Sequence, residues 1–183
     1  QLTLLSYNNN NSYSWDQVTT ANWLKYPNPN CAHVVHVDIL DRHVDRDTGI
    51  LHTERLITCK QPIPALFRRL LGAGDLSFAR EVSQVDPAGR VHTSVTWNLS
   101  MRDVMTVEER CDYRVATADI EAAHTESLSS SPTARLAPIG GRTVFVQEAR
   151  ISALGSLSRL AGRVEDFALT RFDENAAIGR RGF

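Results

Sequence analysis

The side chains of this sequence able to do chemistry are few, and their spacings exclude more than they allow. His33 and His36 stand three apart in an alternating stretch. That spacing puts them on opposite faces of a strand, so they do not chelate a metal as a pair. His43 and Asp45 share a face but adjoin a polar loop, where a solvated edge is the expected reading. Gly72-Ala73-Gly74 lacks the Lys-Ser/Thr pair that completes a phosphate-cradling loop. No nucleophile elbow and no helical H-E-x-x-H occurs either. Catalytic residues, metal ligands and cofactors are therefore not expected. Anion binding remains. Arg55 sits mid-strand between Glu54 and Leu56, and a buried arginine is costly without an anionic partner, so it either meets solvent or serves a site. Arg171 and Asn175, four apart on a helical run, could hold an anion jointly or lie on a solvated face. The stretch "LFRRLLGAG" reads in two ways. Leu66, Phe67, Leu70 and Leu71 could enter a membrane surface with Arg68 and Arg69 on headgroups, or the segment is a helix packed on the sheet.

These residues need elements to position them. Ser14-Trp15-Asp16-Gln17 matches a capping box, opening a helix expected from Trp15 to Tyr26. Pro27 and Pro29, in "KYPNPNCAHV", end it, because each lacks an amide donor and disfavours helical dihedrals in the residue before it. Period-two alternation predicts strands over His33–Asp45, Ile50–Lys60, Ser77–Val85, Arg90–Leu99, Val104–Val115 and Thr143–Leu154, after a short strand at Leu2–Leu5 and an asparagine-rich turn. Within the first of these, one face is expected to carry Val35, Val37 and Ile39, the other Val34, His36 and Asp38. The loops "DRDTG" and "DPAG" read as hairpin turns, with Gly49 available for a positive φ. The Ser-, Ala- and Pro-rich stretch 116–141 reads as a mobile, variable loop. Two helices are expected besides the first: a short one at Ile63–Leu71 and a long one from Ser156 to about Arg180, with an apolar stripe of Leu157, Leu160, Val164, Phe167 and Phe172. The expected class is α+β: one curled antiparallel sheet with a long C-terminal helix across its concave face.

Composition bounds the rest. A chain of 183 residues suits a single domain with a real core. A formal charge of −1 argues against general nucleic-acid binding. No apolar run approaches the roughly 20 residues that span a bilayer. Cys31, Cys59 and Cys111 are too scattered for a disulfide framework or a zinc site and read as free thiols. No signal peptide is visible, and since the chain opens on Gln1, its natural start is expected upstream.

Several segments, in order, resemble the PRELI family of mitochondrial intermembrane-space phospholipid transfer proteins. They are "WDQVTTANWLKYPNP", "HVVHVDILDRHVD", "LHTERLITCKQ", "REVSQVDP", "TWNL", "VEERCDY", "QEARIS" and "RVEDFALTRFDENAAIGRRGF". The resemblance runs from about Trp15 to Phe183, broken by the Ser-rich loop. It implies about seven strands and helices enclosing a lipid pocket in one domain over residues 1–183. It implies transfer of an anionic phospholipid between the outer and inner mitochondrial membranes and peripheral contact with anionic membranes. A small twin Cys-x9-Cys partner is implied too, with no nucleic acid. By resemblance, the proline corner holds Lys25 and His33 at the headgroup, with Arg55, Lys60, Arg171 and Asn175 as further donors. Leu66, Phe67, Arg68, Arg69, Leu70 and Leu71 would form a membrane-contacting lid.

Where phosphatidic acid carriers of the family have a lysine, this chain has Cys59. Lys60 follows it, and strand neighbours face opposite ways. Ala176-Ala177 replaces a basic pair often found after the "EN" of the last helix. Both departures favour phosphatidylserine, with phosphatidic acid as the alternative cargo. Because the family's long helix usually runs further, a C-terminal part is expected beyond Phe183. The competing classes are a phospholipid-acting enzyme with His33 as an acid, and an adaptor that only binds the partner.

Overall fold

The computed structural model describes residues 2–11, 13–60, 75–116, 142–153 and 170. Strand β1 (Leu2–Asn11) precedes helix α1 (Trp15–Trp23) and a 3₁₀ turn at Pro29–Cys31. Strands β2 (Val34–Val44), β3 (Leu51–Lys60), β4 (Leu76–Asp86), β5 (Val91–Asn98), β6 (Met105–Val115) and β7 (Thr143–Ala153) follow. All pairings are antiparallel, in the order β1-β7-β6-β5-β4-β3-β2. Neighbours in sequence are neighbours in space from β2 to β7, and β1 returns to lie against β7. The α+β expectation holds in this broad form. The helix expected at Ile63–Leu71, the long helix expected from Ser156 (apart from Thr170, which is helical) and the variable loop from residue 117 onward lie outside the described residues.

Helix α1 begins as its sequence dictates. The Ser14 hydroxyl accepts from the Gln17 amide, while the Gln17 side chain accepts from the Ser14 backbone at 3.0 Å. It ends earlier than expected, at Trp23 and not Tyr26. The Lys25 amide already donates to Asn22, which tightens the last turn, and Tyr26 precedes Pro27 through a cis peptide bond. Trp15 and Val18 of α1 pack with Val85, Tyr113 and Phe145, and the Trp15 indole donates to the Tyr113 carbonyl at 3.2 Å. Tyr113 stacks on Phe145 with ring centroids 4.7 Å apart. This cluster fixes which face of the sheet is covered.

Two expectations fail for identifiable reasons. The asparagines 8–11 are strand, not turn, because they pair with Val146 to Thr143 of β7; a ladder partner outweighs their poor intrinsic preference. In β2, Val35 and Ile39 are exposed where an apolar face was expected. The register slips between Val34 and His36, so Val35 drops out of the alternation. Val37 and Ile39 join Val34 on the face of Ile57 and Arg55, where Ile39 stays exposed on the edge strand; a second slip lies between Ile39 and Asp41.

Turn chemistry agrees with the residue types. Gly49 takes φ +72°, and the Asp45 carboxylate accepts from the Asp47 and Thr48 amides at 2.8 and 3.1 Å. His43 meets Asp41 at 2.9 Å on the exposed face and stacks on His52, so its acidic partner is Asp41 and not Asp45. In "DPAG", a Cβ at residue 89 would crowd the Asp86 carboxylate that accepts from the Gly89 amide, so a side chain there would displace that turn contact. In "TWNL", Asn98 donates to the Ser100 and Met105 carbonyls and accepts from Val107, tying β5 to β6 across the turn.

Candidate functional site

Period two carries the covered face inward from the apolar cluster. Stepping from Val85 along β4 gives Ser83 and Glu81; from Tyr113 along β6, Cys111 and Glu109; from Phe145 along β7, Gln147 and Ala149. The register aligns Arg55 with Glu81, Glu81 with Thr96, Thr96 with Glu109 and Glu109 with Ala149. A polar, partly ionic row therefore crosses β3 to β7 two rungs from an aromatic cluster. This placement is unusual for a sheet face under a helix and needs partners to be tolerated.

The partners exist. Arg55 Nε donates to Glu81 Oε1 at 2.8 Å, and Nη2 donates to the same oxygen. The residues are 7% and 9% exposed, so this is a buried ion pair and not a surface one. Gln147 Nε2 donates to Glu109 Oε1. Burial pushes the Glu109 carboxyl above its ordinary range; Gln147 and the positive charge of Lys25 oppose that, while Glu81 adds to it. Burial also raises Cys111, Tyr113 and Tyr26, and the charge of Glu109 reaches all three.

Lys25 and His33 stand on either side of the proline corner. The Lys25 ammonium lies 5.5 Å from the Tyr26 ring centroid. His33 is half-buried, and burial followed by the Lys25 charge lowers its pKa. The His33 carbonyl accepts from the Lys60 amide at 2.8 Å, so the corner is pinned to the end of β3. The Lys25 charge acts on both His33 and Glu109. Lys60 does not join them: it is exposed and lies one residue past Cys59, on the other face of β3 from Arg55. Arg171 and Asn175 lie outside the described residues, as do the lid residues Leu66, Phe67, Arg68, Arg69, Leu70 and Leu71.

Sequence reasoning passed over Glu81, Glu109 and Gln147. Each lies in a segment that carries the resemblance, namely "REVSQVDP", "VEERCDY" and "QEARIS". Their signal was the alternation with Val85, Tyr113 and Phe145, which places polar residues on an apolar face.

His92, on the rung of Val85 and Tyr113, gives this face a pH consequence. It is 2% exposed, its ring lies 5.2 Å from Tyr113, and its Nδ1 has no hydrogen-bond partner among the described residues. Burial and then the Arg55 charge push its pKa down to about 4 from 6.5. Between those values the unfolded chain binds a proton that the folded protein refuses, so stability falls as the pH drops through that window. The full loss is about 3 kcal/mol, at 1.36 kcal/mol per pKa unit. Urea unfolding of wild type and His92→Phe at pH 7 and pH 4.5 checks this, with the variant expected to lose much less stability on acidification.

Comparison with known proteins bears on what this face is for. Residues 16–137 match the PRELI-like family. The chain is 39% identical to Protein UPS2, mitochondrial, of Saccharomyces cerevisiae over 94% of its own length and 66% of that protein's. It is 38% identical to the UPS-like protein C36.10 of Schizosaccharomyces pombe, covering 93% of this chain and 81% of that one. The crystal structure of Ara h 8.0201 superposes with a TM-score of 0.51 at 10% identity, covering 100% of this chain and 98% of that one, which is a likeness of fold alone. The chain thus spans about two thirds of the length of its budding-yeast relative, and it belongs to the PRELI-like family.

Proposed function

We propose that the protein is a mitochondrial carrier that moves one anionic phospholipid at a time between the outer and inner membranes, with phosphatidylserine preferred over phosphatidic acid. The observation that supports it best is the two-part character of the covered sheet face. An aromatic and aliphatic cluster stands two rungs from a buried ionic row. A phospholipid makes the same two demands, apolar contact for its chains and several convergent donors for its phosphodiester. Lys25, His33 and Arg55 are the proposed phosphate donors, joined by Arg171 and Asn175. Two N–H groups of Arg55 are committed to Glu81, and its other donors are proposed to take the headgroup. Lys60 is left out of this set. Cys59 in place of a lysine supports the less highly charged cargo. Membrane contact by residues 66–71 and a small twin Cys-x9-Cys partner complete the proposal, and the mitochondrial setting is that of the budding-yeast relative.

Vesicle transfer tests it. Donor liposomes carrying fluorescent phosphatidylserine should lose it to acceptors without nucleotide or metal, and unlabelled phosphatidylserine should compete better than phosphatidic acid. Much faster extraction of phosphatidic acid would reverse the preference. A modified lipid product would identify an enzyme, and neither transfer nor product an adaptor.

A further inference from the structure

We propose that Glu109 and Gln147 form an acceptor site for the primary ammonium group of an aminophospholipid headgroup, and that this pair selects such lipids over phosphatidic acid. The inference rests on the lipid-carrier reading and deepens it. It starts from an unmet hydrogen bond. The Gln147 amide turns its Nε2 to Glu109 Oε1, which leaves its own Oε1 buried with no partner among the described residues. Gln147 is only 6% exposed, so water is a poor substitute. A buried acceptor left unmet is costly, and such exceptions in a native protein call for an explanation.

The second observation is charge. Glu81 has its cation in Arg55, bonded to it directly. Glu109 has a neutral amide instead, two strands further along the same row, and it retains accessible surface where Glu81 is buried. Burial nevertheless raises its carboxyl, so the folded protein favours either a proton or a cation there. One ligand group answers both needs. An ammonium carries three donors, no acceptor and a positive charge, so its chemistry matches both Glu109 and Gln147 Oε1. A quaternary amine has the charge without the N–H donors. The phosphate monoester of phosphatidic acid brings only acceptors and negative charge, which Glu109 repels.

The position is consistent with a headgroup lying along the row. The Lys25 charge acts on Glu109, so one of the proposed phosphate donors is an electrostatic neighbour of this carboxylate. A zwitterionic headgroup would then place its phosphate toward the cations and its amine toward the carboxylate. Phosphatidylserine and phosphatidylethanolamine share that amine.

Binding of short-chain lipids to the purified full chain, read by calorimetry, tests the proposal independently of transfer. Four ligands are compared: dihexanoyl phosphatidylserine, its N-acetylated derivative, phosphatidylethanolamine and phosphatidic acid. Glu109→Gln keeps the shape and removes the charge. It should weaken phosphatidylserine and phosphatidylethanolamine about tenfold while leaving phosphatidic acid unchanged or tighter. Acetylating the amine should cost wild type a similar factor and cost Glu109→Gln little. Equal weakening of all ligands, or no change in any, would overturn the amine site while leaving the carrier reading intact. Selective binding without vesicle transfer would do the reverse, and binding of no lipid would sink both. Should Glu109→Gln fail to fold, Gln147→Met decides: a severalfold fall in the phosphatidylserine-to-phosphatidic acid affinity ratio supports the site, and an unchanged ratio rejects it.

Discussion

Arg55→Ala should destabilise the protein by about 3–5 kcal/mol, the range for removing one partner of a buried ion pair. The cost comes from what is left behind. Glu81 is 9% exposed and both bonds from Arg55 go to its Oε1, so the variant strands a carboxylate where water hardly reaches. An exposed pair such as Arg110 with Asp112 would be worth at most about 1 kcal/mol. Arg55→Met combined with Glu81→Leu removes both charges and should recover most of the stability, since apolar replacement of a buried pair is often neutral or better. The double variant also separates fold from function. If Arg55 holds a lipid phosphate, lipid binding should stay weaker by about 1.5–3 kcal/mol even though folding is restored. Chemical unfolding and lipid transfer measured on both variants decide this. An Arg55→Ala protein within 1 kcal/mol of wild type would mean that the pair does not matter to the fold.

Trp15→Ala should cost a similar amount, about 3–5 kcal/mol, for a different reason. The indole is 4% exposed among Val18, Val85, Tyr113 and Phe145, and its removal leaves a cavity that a stacked aromatic pair cannot easily fill. It also takes the donor from the Tyr113 carbonyl. Trp15→Phe keeps most of the volume and should lose clearly less. Because α1 leads directly into the corner that carries Lys25 and His33, loosening it should also weaken the proposed headgroup site. Urea midpoints for the two variants check the order; equal values would show that the cavity is not the main cost.

Local chemistry made much of the molecule readable in advance. The capping box at Ser14, the positive φ at Gly49, the Asp-led turns and the period-two strands depend on neighbours a few residues apart, so the sequence expresses them directly. Of the residues that the family resemblance singles out, Lys25 and His33 flank the proline corner and Arg55 is paired with Glu81. Lys60 was drawn in by its type, although alternation along β3 had already assigned it to the opposite face.

Long-range pairing decided what was missed. The asparagine run of β1 becomes strand only because β7, more than 130 residues later, offers a ladder. The two bulges of β2 come from its register against β3, and no local pattern announces them. Glu81, Glu109 and Gln147 were legible as polar residues in alternating segments, yet their meaning depends on which face α1 covers and on registers running across five strands. The sequence by itself determined strands β2 to β7, the start of helix α1, the turn residues and the family. Only the tertiary structure decided that Arg55 faces Glu81 inside the protein, and that Gln147 reaches Glu109 with its carbonyl oxygen unmet among the described residues. The physical reason is that a side chain's type is local, whereas its burial and its hydrogen-bond partner are set by strands brought together from distant parts of the chain.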